Sequence, residues 1–283
     1  MLKSSFLSKS WLEASDDFDA SKVVLVGIPY DGTCSFNPGA RFGPEQIRLA
    51  SKGLEEYSAY QDKSLEDVDF FDAGELDLPF GDRDEVLSII KECTKEVIAQ
   101  GKTYLGIGGE HLVTLPAFEA YYEKYPDLKL VHFDAHADLR DDYLGQKLSH
   151  ATVIRRISDI IGLDNIVQVG LRSGTKEEFD LIKKHNTLAR GIGDFQNKIE
   201  RFSDAPVFLT IDLDVLDPSI MSGTGTQEAG GLFYNEFLEY FMSMRDLNIV
   251  GCDVLELSPH YDASGVSTAT AAKIIRELIL RLS

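Results

Sequence analysis

From Val23 to the last helical stretch, the chain alternates two patterns of hydrophobic and polar residues. Short, mostly apolar runs fall at 23–28, 68–72, 103–108, 128–134, 166–170, 206–214 and 249–257. A strand with one wet face alternates, whereas a continuous run rich in Val and Ile marks a strand covered on both faces. Between the runs, apolar residues recur every three or four positions. Over 84–100 this puts Val86, Ile89, Ile90, Cys93 and Val97 on one stripe, with Gly101 as a stop. Over 268–282 it aligns Ala272, Ile275, Leu278 and Ile279. A third helix follows Ser149, a fitting N-cap, and stops at Gly162. Such repetition predicts right-handed crossovers and a mostly parallel sheet in a three-layer α/β/α sandwich. No linker or internal repeat interrupts it. We therefore expect residues 1–283 to form a single domain, with 1–20 as an N-terminal extension and 21–283 as the core.

Charge narrows the class of partner. The 28 Lys and Arg stand against 47 Asp and Glu, a formal net charge of −19. That balance argues against nucleic acid and anionic membranes as partners, and suits cationic ligands. Cys34, Cys93 and Cys252 are odd in number and form no CxxC pair, so a disulfide framework or thiolate zinc site is not expected. The N-terminus has basic residues but no continuous apolar core, and no run approaches the ~18 apolar residues of a membrane span. A cytoplasmic location is the expectation.

In a parallel sheet, ligands bind beyond the carboxyl ends of the strands, and the unusual residues fall there. The run at 128–134 leads into Asp134-Ala135-His136-Ala137-Asp138, and that at 206–214 contains Asp212 and Asp214. If the extended conformation continues, each set points one way. The run at 103–108 ends in Gly108-Gly109-Glu110-His111, where two glycines permit a tight turn. Four buried carboxylates repel one another, and two divalent cations resolve that repulsion. Oxygen and imidazole donors without a thiolate favour Mn²⁺, or Fe²⁺ or Co²⁺, over structural zinc, and Mg²⁺ less.

The motifs GGEH, DAHAD, SHATVIRR, DLDVLDP, GTGTQEAGG and LELSP, in that order, resemble the ureohydrolase family of arginases and agmatinases. NPGARFGPEQIR, GLEEYS, FFDAGELDLPFGD and TAAKIIREL look most like bacterial agmatinases. The resemblance implies an eight-stranded, mostly parallel sheet and a homo-oligomer, a trimer or hexamer. It implies two Mn²⁺ per subunit on His111, Asp134, His136, Asp138, Asp212 and Asp214. A hydroxide bridging the metals would attack a guanidinium, releasing urea and an amine. Asp138 would accept a hydrogen bond from it, His150 would carry a proton to the leaving amine, and Glu256 would pair with the guanidinium. Ala137 stands where the family usually has Thr, and Ser222 where relatives commonly have Pro.

Substrate choice is read from the loop at 139–147. Asp141 and Asp142 would repel a carboxylate and welcome an ammonium, which favours agmatine, hydrolysed to putrescine and urea. Arg140 and Lys147 keep a carboxylate-bearing guanidine open, so guanidinobutyrase and arginase are the alternatives, and a non-catalytic metal-binding regulator is a third. His132 is read as packed and hydrogen-bonded, His185 as solvated, and His260 as a weakly supported substrate contact.

Overall fold

The computed structural model describes residues 6, 7 and 11–283. Its main sheet has eight strands: β1 (Phe6–Leu7), β2 (Val23–Gly27), β3 (Phe70–Leu76), β4 (Thr103–Ile107), β5 (Lys129–Phe133), β6 (Ile166–Val169), β7 (Pro206–Asp212) and β8 (Asn248–Leu255). Their order is β1-β3-β2-β4-β8-β7-β5-β6, all parallel except β1, which pairs antiparallel with β3. The expected N-terminal extension therefore contributes an edge strand. The other residues of 1–10 lie outside the described residues.

Eight helices cover the sheet: α1 (Gly43–Ser51), α2 (Arg83–Ala99), α3 (Thr114–Lys124), α4 (Val153–Ile161), α5 (Lys176–His185), α6 (Ile192–Ile199), α7 (Tyr234–Ser243) and α8 (Val266–Leu282). The strands explain how two layers form. Along β2, Val23 and Leu25 belong to the core layer that also holds α1, α6, α7 and α8, whereas Val24 and Val26 belong to the layer with α2, α3, α4 and α5. Period-two side chains thus feed both cores, which is why every residue of β7 is buried. Each fully buried Val, Leu or Ile contributes roughly 1.5–3 kcal/mol.

All seven apolar runs become strands, with two informative differences at their ends. The run at 68–72 becomes β3, which continues to Leu76 through polar residues. Those residues are paired: buried Arg48 of α1 donates to both oxygens of Asp72 at 2.8 Å and lies 3.5 Å from Glu75. The run at 206–214 stops as a strand at Asp212, and Leu213–Val215 form a 3₁₀ turn. Among the described residues, no helix is long and apolar enough to cross a membrane.

Candidate active site

Four adjacent strands, β4-β8-β7-β5, deliver their carboxyl ends to one place. After β4, Gly108 and Gly109 take φ of +76° and +80°, a region that favours glycine. A Cβ on Gly109 would stand 2.6 Å from the Ile28 carbonyl oxygen, so the turn closes only without one. It sets His111 at the start of a short 3₁₀ helix, with buried Nδ1 3.0 Å from Asp134, 3.2 Å from Asp138 and 3.5 Å from Asp212.

The acids do not share a direction by continued extended backbone, as the sequence reading assumed. Turns aim them. The Asp212 carboxylate accepts from Asp214 N at 2.9 Å, and Asp214 in turn accepts from Ala135 N at 3.0 Å. Asp134 accepts from His136 N, and His136 Nδ1 lies 2.9 Å from Asp214. Asp138 and Glu256 both sit in the left-handed region, at φ +53° and +67°. Non-glycine residues there carry backbone strain, which clusters at functional sites. Glu256 follows β8 and accepts the His111 backbone N–H at 2.7 Å.

Buried groups behind these residues hold them. His132 is packed as expected: its Nδ1 accepts from Gln168 at 3.1 Å, so its Nε2–H donates to Asp134 at 2.8 Å. Thr210 meets His111 Nε2 at 2.9 Å and Thr114 at 3.2 Å. Such partners fix ring orientation and leave Nδ1 for a ligand.

Electrostatics ask for cations. Burial pushes Asp138 up to about 7 and Glu256 up to about 8, with nearby carboxylates adding to it. Burial and the neighbouring carboxylates also raise Asp212 and Asp214. Burial opposes charge on His111, but Asp134, Asp138 and Asp212 override it and raise its pKa; Asp214 and Asp134 do the same for His136. Asp134 is held low by its three imidazole neighbours despite burial. His111 Nδ1 is buried without a well-formed hydrogen bond, facing carboxylate oxygens. Asp134 belongs to two groups of converging donor atoms, one with His111 and His132, the other with His136 and Asp214. Divalent cations fit such a set of carboxylate and imidazole donors.

Above the cluster lies a cavity of ≈ 230 Å³, bounded by Cys34, Ser35, Arg140, Tyr143, His150 and Glu256 among others. His150 precedes α4 and meets Thr33 and Ser35 from the loop after β2. Burial, with His136 and His111 nearby, pushes its pKa down to about 4, so it is neutral at pH 7. Ala137 is buried in the cavity wall, and the Ser222 carbonyl accepts from Gln227 at 2.8 Å, which ties its loop.

Asp141 is not brought to the cavity. Its carboxylate is 66% exposed and bonds Arg156 at 2.8 Å, while Asp142 accepts from Gly145 N in a turn. The ammonium-welcoming role expected of these acids is therefore corrected: adjacent arginines of α4 take up Asp141. Arg140 does line the cavity, stacked 5.0 Å over Tyr143. His260 instead packs on Phe42, and His185 pairs with Asp164 at the surface. The sequence reading missed Thr33 and Ser35, whose only signal was a Gly/Pro/Asn-containing loop far from the acidic motifs, and gave no role to Glu110, although it lies within GGEH beside His111.

Known proteins match both chain and fold. Residues 21–280 match the Arginase family. The agmatinases of Bacillus anthracis and Bacillus subtilis are each 43% identical, over 97% of this chain and 97% of their own length. A crystal structure from Clostridium difficile superposes with a TM-score of 0.91 at 47% identity, covering 94% of this chain and 99% of that one. The agmatine ureohydrolase of Thermoplasma volcanium gives 0.86 at 30% identity, over 98% and 94%. Agreement of this extent, in sequence and in overall fold, makes the chain a member of the arginase family.

Proposed function

We propose that the protein is an agmatinase, hydrolysing agmatine to putrescine and urea on two Mn²⁺ held by His111, Asp134, His136, Asp138, Asp212 and Asp214. The convergence of these six side chains and Glu256 at the ends of four central strands carries the reading. The relatives named as agmatinases support the substrate. An oxygen-and-imidazole donor set supports Mn²⁺.

His111, Asp134, His136, Asp138, Asp212 and Asp214 would hold two divalent ions, whose chemistry would be to make hydroxide available near neutral pH. The chain's own residues do the rest. Glu256, anchored through one oxygen to His111 N, turns its carboxylate to the guanidinium and sets the carbon over the nucleophile. Asp138 accepts a hydrogen bond from that nucleophile. His150, neutral at rest, takes a proton at the ring nitrogen facing the cavity and gives it to the leaving amine.

One observation favours a second reading. Arg140 on the cavity wall would pair with the carboxylate of a guanidino acid, and a Pseudomonas aeruginosa relative, 31% identical, is named guanidinobutyrase. Urea release from agmatine, arginine and guanidinobutyrate, assayed in parallel with and without chelator, separates them. Agmatine preferred and activity lost on chelation is the expected result; preference for guanidinobutyrate would transfer the assignment to Arg140's partner. Assembly into trimers or hexamers belongs to the same proposal, supported by exposed Phe80 and Leu144 on one rim, and is read by light scattering.

A further inference from the structure

We propose that Thr33 and Glu110 are positioning residues that fix the tautomer of His150 through a single hydroxyl proton. This rests on the reading of His150 as the proton carrier. Thr33 Oγ1 donates to Glu110 Oε1 at 2.6 Å, and Thr33 N donates to Glu110 Oε2 at 2.7 Å. A threonine hydroxyl has one proton and two lone pairs. While Glu110 is ionised, the hydroxyl proton is committed to it, and Thr33 Oγ1 accepts from His150. Two nitrogens of His150 are in reach, the backbone N at 3.1 Å and Nδ1 at 3.4 Å.

The second contact is attractive only if Nδ1 carries the proton. Otherwise two lone pairs face each other. A neutral imidazole protonated at Nδ1 has its free lone pair at Nε2. Nε2 is the nitrogen that meets Ser35 Oγ, 3.2 Å away on the cavity wall. The ring thereby presents an acceptor to the cavity, able to take a proton there and pass it on. While it holds that proton, Nδ1–H is braced by a chain that ends on a carboxylate. A carboxylate behind a catalytic histidine acts in the same way, by orientation and by stabilising the imidazolium. Tyr143 closes a further side, edge-on at 5.6 Å between ring centres. Three distant segments make this relay: the loop after β2, the turn after β4 and the start of the helical segment at His150–Thr152.

The test uses the full chain loaded with Mn²⁺. Thr33→Val keeps the side-chain shape and removes the hydroxyl; Thr33→Ser restores it. Thr33→Val is expected to lower kcat about tenfold, the lower end of what loss of a hydrogen-bond partner behind a metal-ligating histidine costs, with KM and bound Mn²⁺ unchanged. Thr33→Ser is expected to recover kcat to within about twofold. In a His150→Asn background, Thr33→Val should have no further effect, because the hydroxyl acts through that ring. Unchanged kcat in Thr33→Val, loss of bound Mn²⁺, or a full additional effect beside His150→Asn would each overturn the relay. Normal kcat in His150→Asn alone would overturn the reading of His150 itself.

Discussion

Asp134, Asp138, Asp212 and Asp214 are buried, and each lies 2.9 to 3.5 Å from an imidazole nitrogen. Without cations, such a cluster holds protons. The raised pKa values of Asp138, Asp212, Asp214, Glu256, His111 and His136 mean that the metal-free folded chain binds more protons than the unfolded chain from about pH 5 to 8. Stability contributed by these groups therefore falls as pH rises through that window. Depressed Asp134 acts oppositely only below its ordinary range, whereas depressed His150 and His132 act oppositely below about pH 6.5, so the fall is steepest above that. Bound metal displaces the protons. The gap in Tm between Mn²⁺-loaded and chelated protein should widen from pH 5.5 to 8; a gap independent of pH would contradict the proton–metal exchange. Asp212→Asn resembles the protonated side chain that the metal-free protein favours, and its amide oxygen can still accept from Asp214 N. The chelated variant should keep the wild-type circular dichroism while Mn²⁺-dependent urea release is lost. The six proposed donors were legible because strand ends give them regular spacing. Asp141 was misread because the sign of a side chain does not reveal which neighbour claims it. Thr33 escaped because its partners Glu110 and His150 lie 77 and 117 residues away.

At the scale of elements, continuous apolar runs announced β2 to β8, since strands buried on both faces have little else to be made of. Their polar continuations were less legible. β3 runs on through Asp72 and Glu75 because Arg48, from another element, neutralises them. Removing one partner of such a buried pair leaves an uncompensated charge, so Arg48→Ala should cost about 3–5 kcal/mol in chemical denaturation. A loss below about 1 kcal/mol would mean that water reaches Asp72. The turn after β4 has a sharper requirement. Gly109 combines a positive φ with backbone oxygens of Ile28 and Tyr30 where a Cβ would go, and its carbonyl accepts from Glu256 N at 2.9 Å. Gly109→Ala should lower both Tm and Mn²⁺ affinity, because His111 and Glu256 share that turn. A variant with wild-type metal affinity would separate the turn from the site.

At the scale of the molecule, the strand order places β8 and β7 between β4 and β5, so segments far apart in sequence meet over one cavity. Helices on both faces leave the carboxyl edge of the sheet as the place where irregular backbone can carry polar groups. The net charge of −19 adds a long-range field that favours a cationic substrate. Raising ionic strength should therefore reduce kcat/KM for dicationic agmatine more than for net-neutral guanidinobutyrate; equal sensitivity would remove steering from the account. The central claim is that one buried cluster both holds two metals and performs the hydrolysis. Its most direct test is titration of chelated protein with Mn²⁺, with bound metal and urea release from agmatine followed in the same samples. Activity that rises from zero and saturates at two Mn²⁺ per chain, with Asp212→Asn reaching neither limit, is the predicted result. Full urea release before any metal binds, or undiminished activity in Asp212→Asn, would contradict it.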